Sequence, residues 1–165
     1  MVRLSGDLLL LSQAETGKLP MVVQPMELDT LLLQVLQDMT VLAHGQVKIH
    51  LGEFDQVMVC GDRDRLKQVL VNLVKNAIEA TPANGIVQVR TAADEGRLVI
   101  EVVDTGSGIP AERQALLFEP FQSLRPHGLG LGLFLSKRLI EVHGGTLTMN
   151  SRPGAGTILR IVLPA

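Results

Sequence analysis

Apolar positions recur along this chain with two periods, and the periods segregate. From Glu27 to about His44, Leu28, Leu31, Leu32, Val35, Leu36, Met39 and Leu42 fall three and four apart, which predicts a helix. The same spacing returns from about Asp62 to Ala80, with Asp62 as N-cap; Arg65 stands three residues on, so no capping box forms. A third helix is expected over Leu131 to His143, ended by Gly144–Gly145. Strand-like runs lie at Met21–Gln24, Val47–Leu51, Val57–Cys60, Ile86–Thr91 and Leu98–Val103, and a closing hairpin pairs Thr146–Asn150 with Thr157–Val162. A short helix is expected near Ala111–Leu116. Val2 to Thr16 reads as the end of a helix that begins without a cap and stops at Gly17 and Pro20. Helices dominate early and strands late. The expected fold is α+β, a two-layer α/β sandwich with a mixed sheet of about five strands covered on one face by about three helices. Residues 20–165 would form the domain, and 1–19 a helical stub and linker.

Composition narrows this picture. The chain has 165 residues, 46% of them apolar and only 2% aromatic, with no Trp or Tyr, so its core must be aliphatic. The net charge is −2 and no block of Lys or Arg occurs. That argues against nucleic acid, whose binding rests on phosphate neutralisation. Cys60 is alone, which removes disulfides and thiolate metal sites; a buried structural thiol is the expectation. No stretch is long enough to cross a bilayer. A cytoplasmic fragment without membrane contact is expected, with room for an anchor upstream in a parent protein.

Several segments could carry chemistry. On the helix from Asp62, Gln68, Asn72, Asn76 and Glu79 form a polar stripe opposite the apolar face. Asn is a mediocre helix former. The stripe is either a solvated face or a ligand surface, whose amide oxygens would suit Mg²⁺. Asp104-Thr-Gly106-Ser-Gly108-Ile109-Pro follows a strand. It is either a turn or a loop that lets a ligand approach closely, with a carboxylate able to accept from the amino group of adenine. Gly128-Leu-Gly130-Leu-Gly132-Leu opens a helix, where unpaired N–H groups make an anion site. It matches neither the Rossmann pattern nor a Walker loop. Gly154-Ala-Gly156-Thr157 alone is a hairpin turn.

In this order the segments resemble the histidine kinases. Asn72-Leu-Val-Lys-Asn76-Ala is similar to their N box, Asp104 to Pro110 to the first glycine box, Phe118-Glu-Pro-Phe121 to the F box, Gly128–Leu133 to the second glycine box and Gly154–Thr157 to the third. The resemblance runs from about Asp29 to the C-terminus and implies the Bergerat sandwich. It also implies an ATP-binding catalytic domain of a two-component sensor kinase that uses ATP and Mg²⁺. The partners implied are a dimerisation and phosphoacceptor domain and a response regulator. The segment Asp7 to Gly17 resembles the end of the second dimerisation helix. None of His44, His50, His127 or His143 has the acceptor context, so autophosphorylation within this chain is not expected.

By resemblance, Asn76 would coordinate Mg²⁺ and Asn72 would support the phosphates or the metal's waters. Asp104 would bind the adenine amino group with Gly108 and Thr157, in a nucleotide-binding set that includes Gly106. Ile109 would line the base pocket. Gly128, Leu129, Gly130, Leu131, Gly132 and Leu133 would contact the nucleotide, their backbone holding phosphates, and Arg125 could reach the terminal phosphate. Glu79 and Ala80 stand where many sensor kinases carry Lys and Tyr. With its short lid, the pattern resembles the nitrogen-regulation subgroup, in which a Lys commonly takes the place of Arg125. Water-activating relatives place a Glu where Asn72 stands, and a neutral amide is no general base. Slow hydrolysis and transfer to histidine are therefore expected, against two rivals: an anti-sigma-type serine kinase and a nucleotide-binding pseudokinase. The lid, about Gln122 to Gly128, should be poorly ordered without nucleotide. His143 is expected to be structural, and His127 is a further candidate for phosphate contact.

Overall fold

A computed structural model describes residues 2–126 and 128–165, with side chains from Ser5 onward; the candidate His127 lies outside the described residues. Helix α1 (Val2–Glu15) leads into strand β1 (Gln24–Glu27), α2 (Leu28–Leu42), β2 (Lys48–Leu51) and β3 (Met58–Gly61). Helix α3 (Arg63–Ala80) and the hairpin β4 (Ile86–Asp94) and β5 (Arg97–Asp104) follow. The chain continues through a single turn α4 (Ala111–Gln114), a 3₁₀ turn (Leu116–Phe118), α5 (Gly132–Val142), β6 (Thr146–Ser151) and β7 (Thr157–Pro164).

The sheet order is β2-β4-β5-β7-β6; β2 runs parallel to β4 and every other pair is antiparallel. Alternation along the central strands sends Val87 and Val89, then Leu98, Ile100 and Val102, then Leu159, Ile161 and Leu163 into the core. There they meet α2, α3 and α5, which supply Leu31, Val35, Val69, Leu70, Leu73, Leu139 and Ile140. Among the described residues the other sheet face carries no helix. The aliphatic core expected from composition is therefore realised, with each fully buried Leu or Ile contributing about 1.5–3 kcal/mol. Helix α1 packs against α5.

Three local expectations change. The first strand lies at Gln24–Glu27 rather than Met21–Gln24, because pairing with β3 (Gln24 opposite Gly61, Glu27 opposite Met58) fixes it; Val22 and Val23 stay exposed. β4 and β5 run longer than their apolar pattern, to Asp94 and from Arg97, because Glu95 (φ 45°) and Gly96 (φ 77°) close a two-residue hairpin whose twist matches the strands. Cys60 is exposed, not buried. Alternation along β3 turns Val59 and Gly61 inward and Cys60 outward, on a ribbon that packs on one side only.

Candidate functional site

Helix α3 positions the amide stripe. Asp62 caps it: Oδ1 accepts the N–H groups of Asp64 and Arg65, both at 3.1 Å, and Oδ2 accepts that of Val22 at 2.8 Å. Burial alone would raise the Asp62 pKa, but these N–H donors and the charge of Arg65 outweigh it and hold the carboxylate below its usual value. The backbone N–H of Asp62 donates to Nε2 of His143 at 3.0 Å, and Nδ1 of His143 lies 2.6 Å from the Leu139 carbonyl. His143 is thus structural: it ties the end of α5 to the start of α3.

The stripe is only partly solvated: Gln68, Asn72 and Asn76 are half-buried and Glu79 is exposed. Residues 122–125 and 128–133 line the same cleft as Asn72 and Asn76. Nδ2 of Asn72 donates to Oγ of Ser136 on α5 at 3.0 Å. A Cβ at Gly132 would stand 2.5 Å from Oδ1 of Asn72, so glycine at 132 lets the helix start close upon this amide. The Asn76 side chain makes no hydrogen bond among the described residues and lines this cleft, of about 470 Å³. A half-buried amide oxygen with no protein partner fits a hard cation that keeps most of its waters.

The same cleft brings together most of the residues singled out in the sequence: Asn72, Asn76, Ile109, Arg125 and Gly128 to Leu133 all line it. Helix α5 starts at Gly132 with no side-chain cap, so its first N–H groups remain available to an anion. The covering segment is tied at its neck. Phe121 donates its N–H to the Gly130 carbonyl at 3.0 Å, and Gly130, at φ 69°, presses so near the Gln122 backbone that a Cβ would stand 2.4 Å away. Within the loop, Oγ of Ser123 accepts from the Arg125 N–H, and the guanidinium of Arg125 pairs with Glu79 on the last turn of α3. Burial pushes the Arg125 pKa down from its ordinary value.

Asp104, Gly106, Gly108 and Thr157 do not line the cleft themselves; Asp104, Gly106 and Thr157 are buried and Gly108 half-buried beside Ser107 and Ile109, which do. Oδ1 of Asp104 accepts the Gly106 N–H at 2.8 Å. Burial raises the Asp104 pKa, and the N–H groups of Gly106 and Thr157 offset this only in part. No cation pairs with it among the described residues. Oγ1 of Thr157 and Oγ of Ser151 are 2.8 Å apart, and that serine accepts the Ile109 N–H at 2.8 Å. Gln114 donates to the carbonyls of Ile109 and Ser151 and fixes the loop further. The freedom of Gly108, at φ 75°, serves a different neighbour from the one expected. The Arg152–Pro153 backbone, not a ligand, occupies the space a Cβ would need.

Lys75, Ser107, Leu117 and Gln122 also line the cleft, while Ser136, Ser151 and Gln114 hold its walls. Sequence reasoning passed over them. Lys75 carried a usable signal, since it adjoins Asn76 on the same helix; the serines and Gln114 carried none, because their partners lie far along the chain. Among the described residues no group of three or more acidic, His or Cys side chains could hold a metal. Nor is any described helix long and apolar enough to cross a membrane.

Comparison with known proteins matches residues 61–165 to the family described as histidine kinase-, DNA gyrase B-, and HSP90-like ATPase. Sporulation kinase C of Bacillus subtilis (strain 168) is 37% identical over 141 residues, covering 84% of this chain and 33% of its own length. The circadian input-output histidine kinase CikA of Synechococcus elongatus is 37% identical over 174 aligned positions, covering 99% of this chain and 23% of its own length. Among solved structures, the mycobacterial sensor histidine kinase MprB superposes with a TM-score of 0.78 at 30% identity, over 87% of this chain and 97% of that one. The chain therefore spans a third or less of the curated relatives it matches.

Proposed function

The chain belongs to the histidine kinase-, DNA gyrase B-, and HSP90-like ATPase family, in its sensor histidine kinase branch, and we propose that its cleft binds Mg·ATP and passes the terminal phosphoryl group to a histidine on a dimerisation domain. One observation carries this reading. The half-buried amides of α3 and the uncapped N-terminus of α5 face the same cleft, so a cation ligand and an anion site are brought together.

In this reading Asp104, Gly106, Gly108 and Thr157 hold the base end, with the Asp104 carboxylate accepting from the exocyclic amino group of adenine. Guanine presents a carbonyl there and is repelled. Ile109, fixed by Ser151 and Gln114, forms an apolar wall. The backbone from Gly128 to Leu133 cradles the phosphates, and Asn72, locked by Ser136, braces them. Asn76 holds the Mg²⁺, which when bound neutralises charge on the phosphate oxygens. Transfer breaks the bond between the γ-phosphorus and the bridging oxygen, which leaves with ADP, and forms a bond from phosphorus to an imidazole nitrogen. The work of the protein is positioning and charge stabilisation. Arg125 can serve the terminal phosphate only by leaving Glu79. The neutral amide of Asn72 cannot take a proton from water, so hydrolysis is slow. Residues 1–19 are proposed as the end of a dimerisation helix with its linker, and a response regulator as the onward acceptor.

Asn76→Asp should abolish Mg-dependent ATP binding in calorimetry while leaving the fold intact by circular dichroism; unchanged affinity removes the assignment. Incubating the chain with Mg·ATP and separate helix-pair fragments should label one that bears His and not one that bears Ser. Labelling of the Ser fragment would favour a serine kinase.

A further inference from the structure

The roles implied by the resemblance account for the amides, the glycines and Arg125, but assign none to Lys75, although it lies within the N box. Its side chain is half-buried on α3, between Asn72 and Asn76 in sequence, and it lines the main cleft. It also lines an adjoining depression walled by Asn72, Asn76, Glu79, Arg125 and Gly128, which excludes Ile109 and every residue of the base end. Lys75 therefore stands where the phosphates, not the adenine, would lie.

Its charge is also uncommitted. Among the described residues Lys67 faces Asp38, Arg138 faces Glu141, and Arg125 is held by Glu79, whereas the Lys75 side chain has neither a hydrogen bond nor an ion pair. Asp7 of α1 reaches the same cleft, so the wall is not uniformly basic. A triphosphate entering this end meets one cation already neutralised by a carboxylate and one that is not. Lysine is suited to the task as a strongly hydrated point charge on a flexible stem that adjusts to a phosphate oxygen.

We propose that Lys75 is a phosphate-binding residue of this cleft, supplying the charge that Arg125 cannot supply while Glu79 holds it. The proposal rests on the reading that the cleft takes Mg·ATP, and the two can be separated. Binding of ATP, ADP and adenosine to the 165-residue chain is measured by calorimetry with Mg²⁺, for wild type, Lys75→Gln and Lys75→Arg. Lys75→Gln should weaken ATP by about tenfold, the size of one charge-assisted hydrogen bond, and leave adenosine unchanged. Lys75→Arg should restore most of the loss. Equal affinity of wild type and Lys75→Gln for ATP overturns the proposal alone, as does an equal loss for ATP and adenosine, which marks a structural role. A wild-type chain that binds no ATP overturns the cleft reading and this proposal together.

Discussion

Strand β5 carries two buried carboxylates three residues apart, and they behave in opposite ways. Glu101 and Asp104 are 7% and 6% exposed; Asp104 is the more deeply enclosed, and the partners of the two differ in kind. Glu101 faces the open side of the sheet. Burial would raise its pKa, but Arg160 on β7 and Arg90 on β4 both hydrogen-bond it from their register positions and hold it below its ordinary value. Asp104 ends the same strand on the helix side, has only backbone N–H donors, and is raised. A carboxylate built for the fold is surrounded by cations. One kept short of partners, beside a cleft, is a cost that folding alone does not explain, and such groups concentrate at functional sites. The sheet thus separates a cross-strand clamp from a carboxylate that the proposed nucleotide would partner.

The sharpest way to break this comparison is to neutralise Asp104. Asp104→Asn would set an amide donor against the adenine amino group, and ATP affinity should fall by about a hundredfold, the upper range for a lost charged hydrogen bond. The melting temperature should hold or rise. The sign follows from the raised pKa: the native state keeps a proton that the unfolded chain has lost, so wild-type stability declines as pH rises through the window above the ordinary value of 3.8. The advantage of Asp104→Asn in thermal melts should therefore grow from acid to neutral pH. A variant that loses stability and binding together would place Asp104 with Glu101.

Glu101→Gln should do the reverse, costing about 1–2 kcal/mol because two guanidinium groups lose their shared anion while staying partly solvated. ATP affinity should change less than about twofold, since nothing in the cleft is touched. Here the folded pKa is depressed, so the contribution is present above the ordinary value of 4.5 and lost as pH falls through the lowered native value. Acid denaturation of wild type should be steeper than that of Glu101→Gln. A third carboxylate gives the smallest effect. Glu79 shares its cation with the cleft, and Glu79→Gln should free Arg125 and tighten ATP by a few-fold at low salt, an effect that fades as ionic strength rises. No change would mean that the pair stays closed when nucleotide binds.

Much of this was legible along the chain where the signal is local. The period of α3 located its core face and its amides, and the glycine runs located the loops. Strand β1 was misplaced because the apolar residues Met21, Val22 and Val23 form the better local pattern, while β3, more than thirty residues on, chooses the register. Cys60 was read as buried because composition carries no information about which side of a ribbon packs. The glycine runs mark the loops but not the neighbours that require glycine there. Gly132 is small because Asn72 lies against it, and Gly108 because Arg152 does. In each case the contact closes across a long stretch of sequence, and no window reports it. The pairing of Arg125 with Glu79 is hidden from the sequence for the same reason.

The neck at Phe121 and Gly130 has a consequence for how this architecture can vary. Because the two feet of the loop are stitched side by side, the residues between them contribute circumference and not position. Closing a flexible loop costs only about 0.6 kcal/mol more for each doubling of its length. The stretch between the feet can therefore grow or shrink across related chains while the helix that begins at Gly132 and the amides beneath it keep their places. Diversity in the cover is nearly free, and the frame it closes upon need not change to accommodate it.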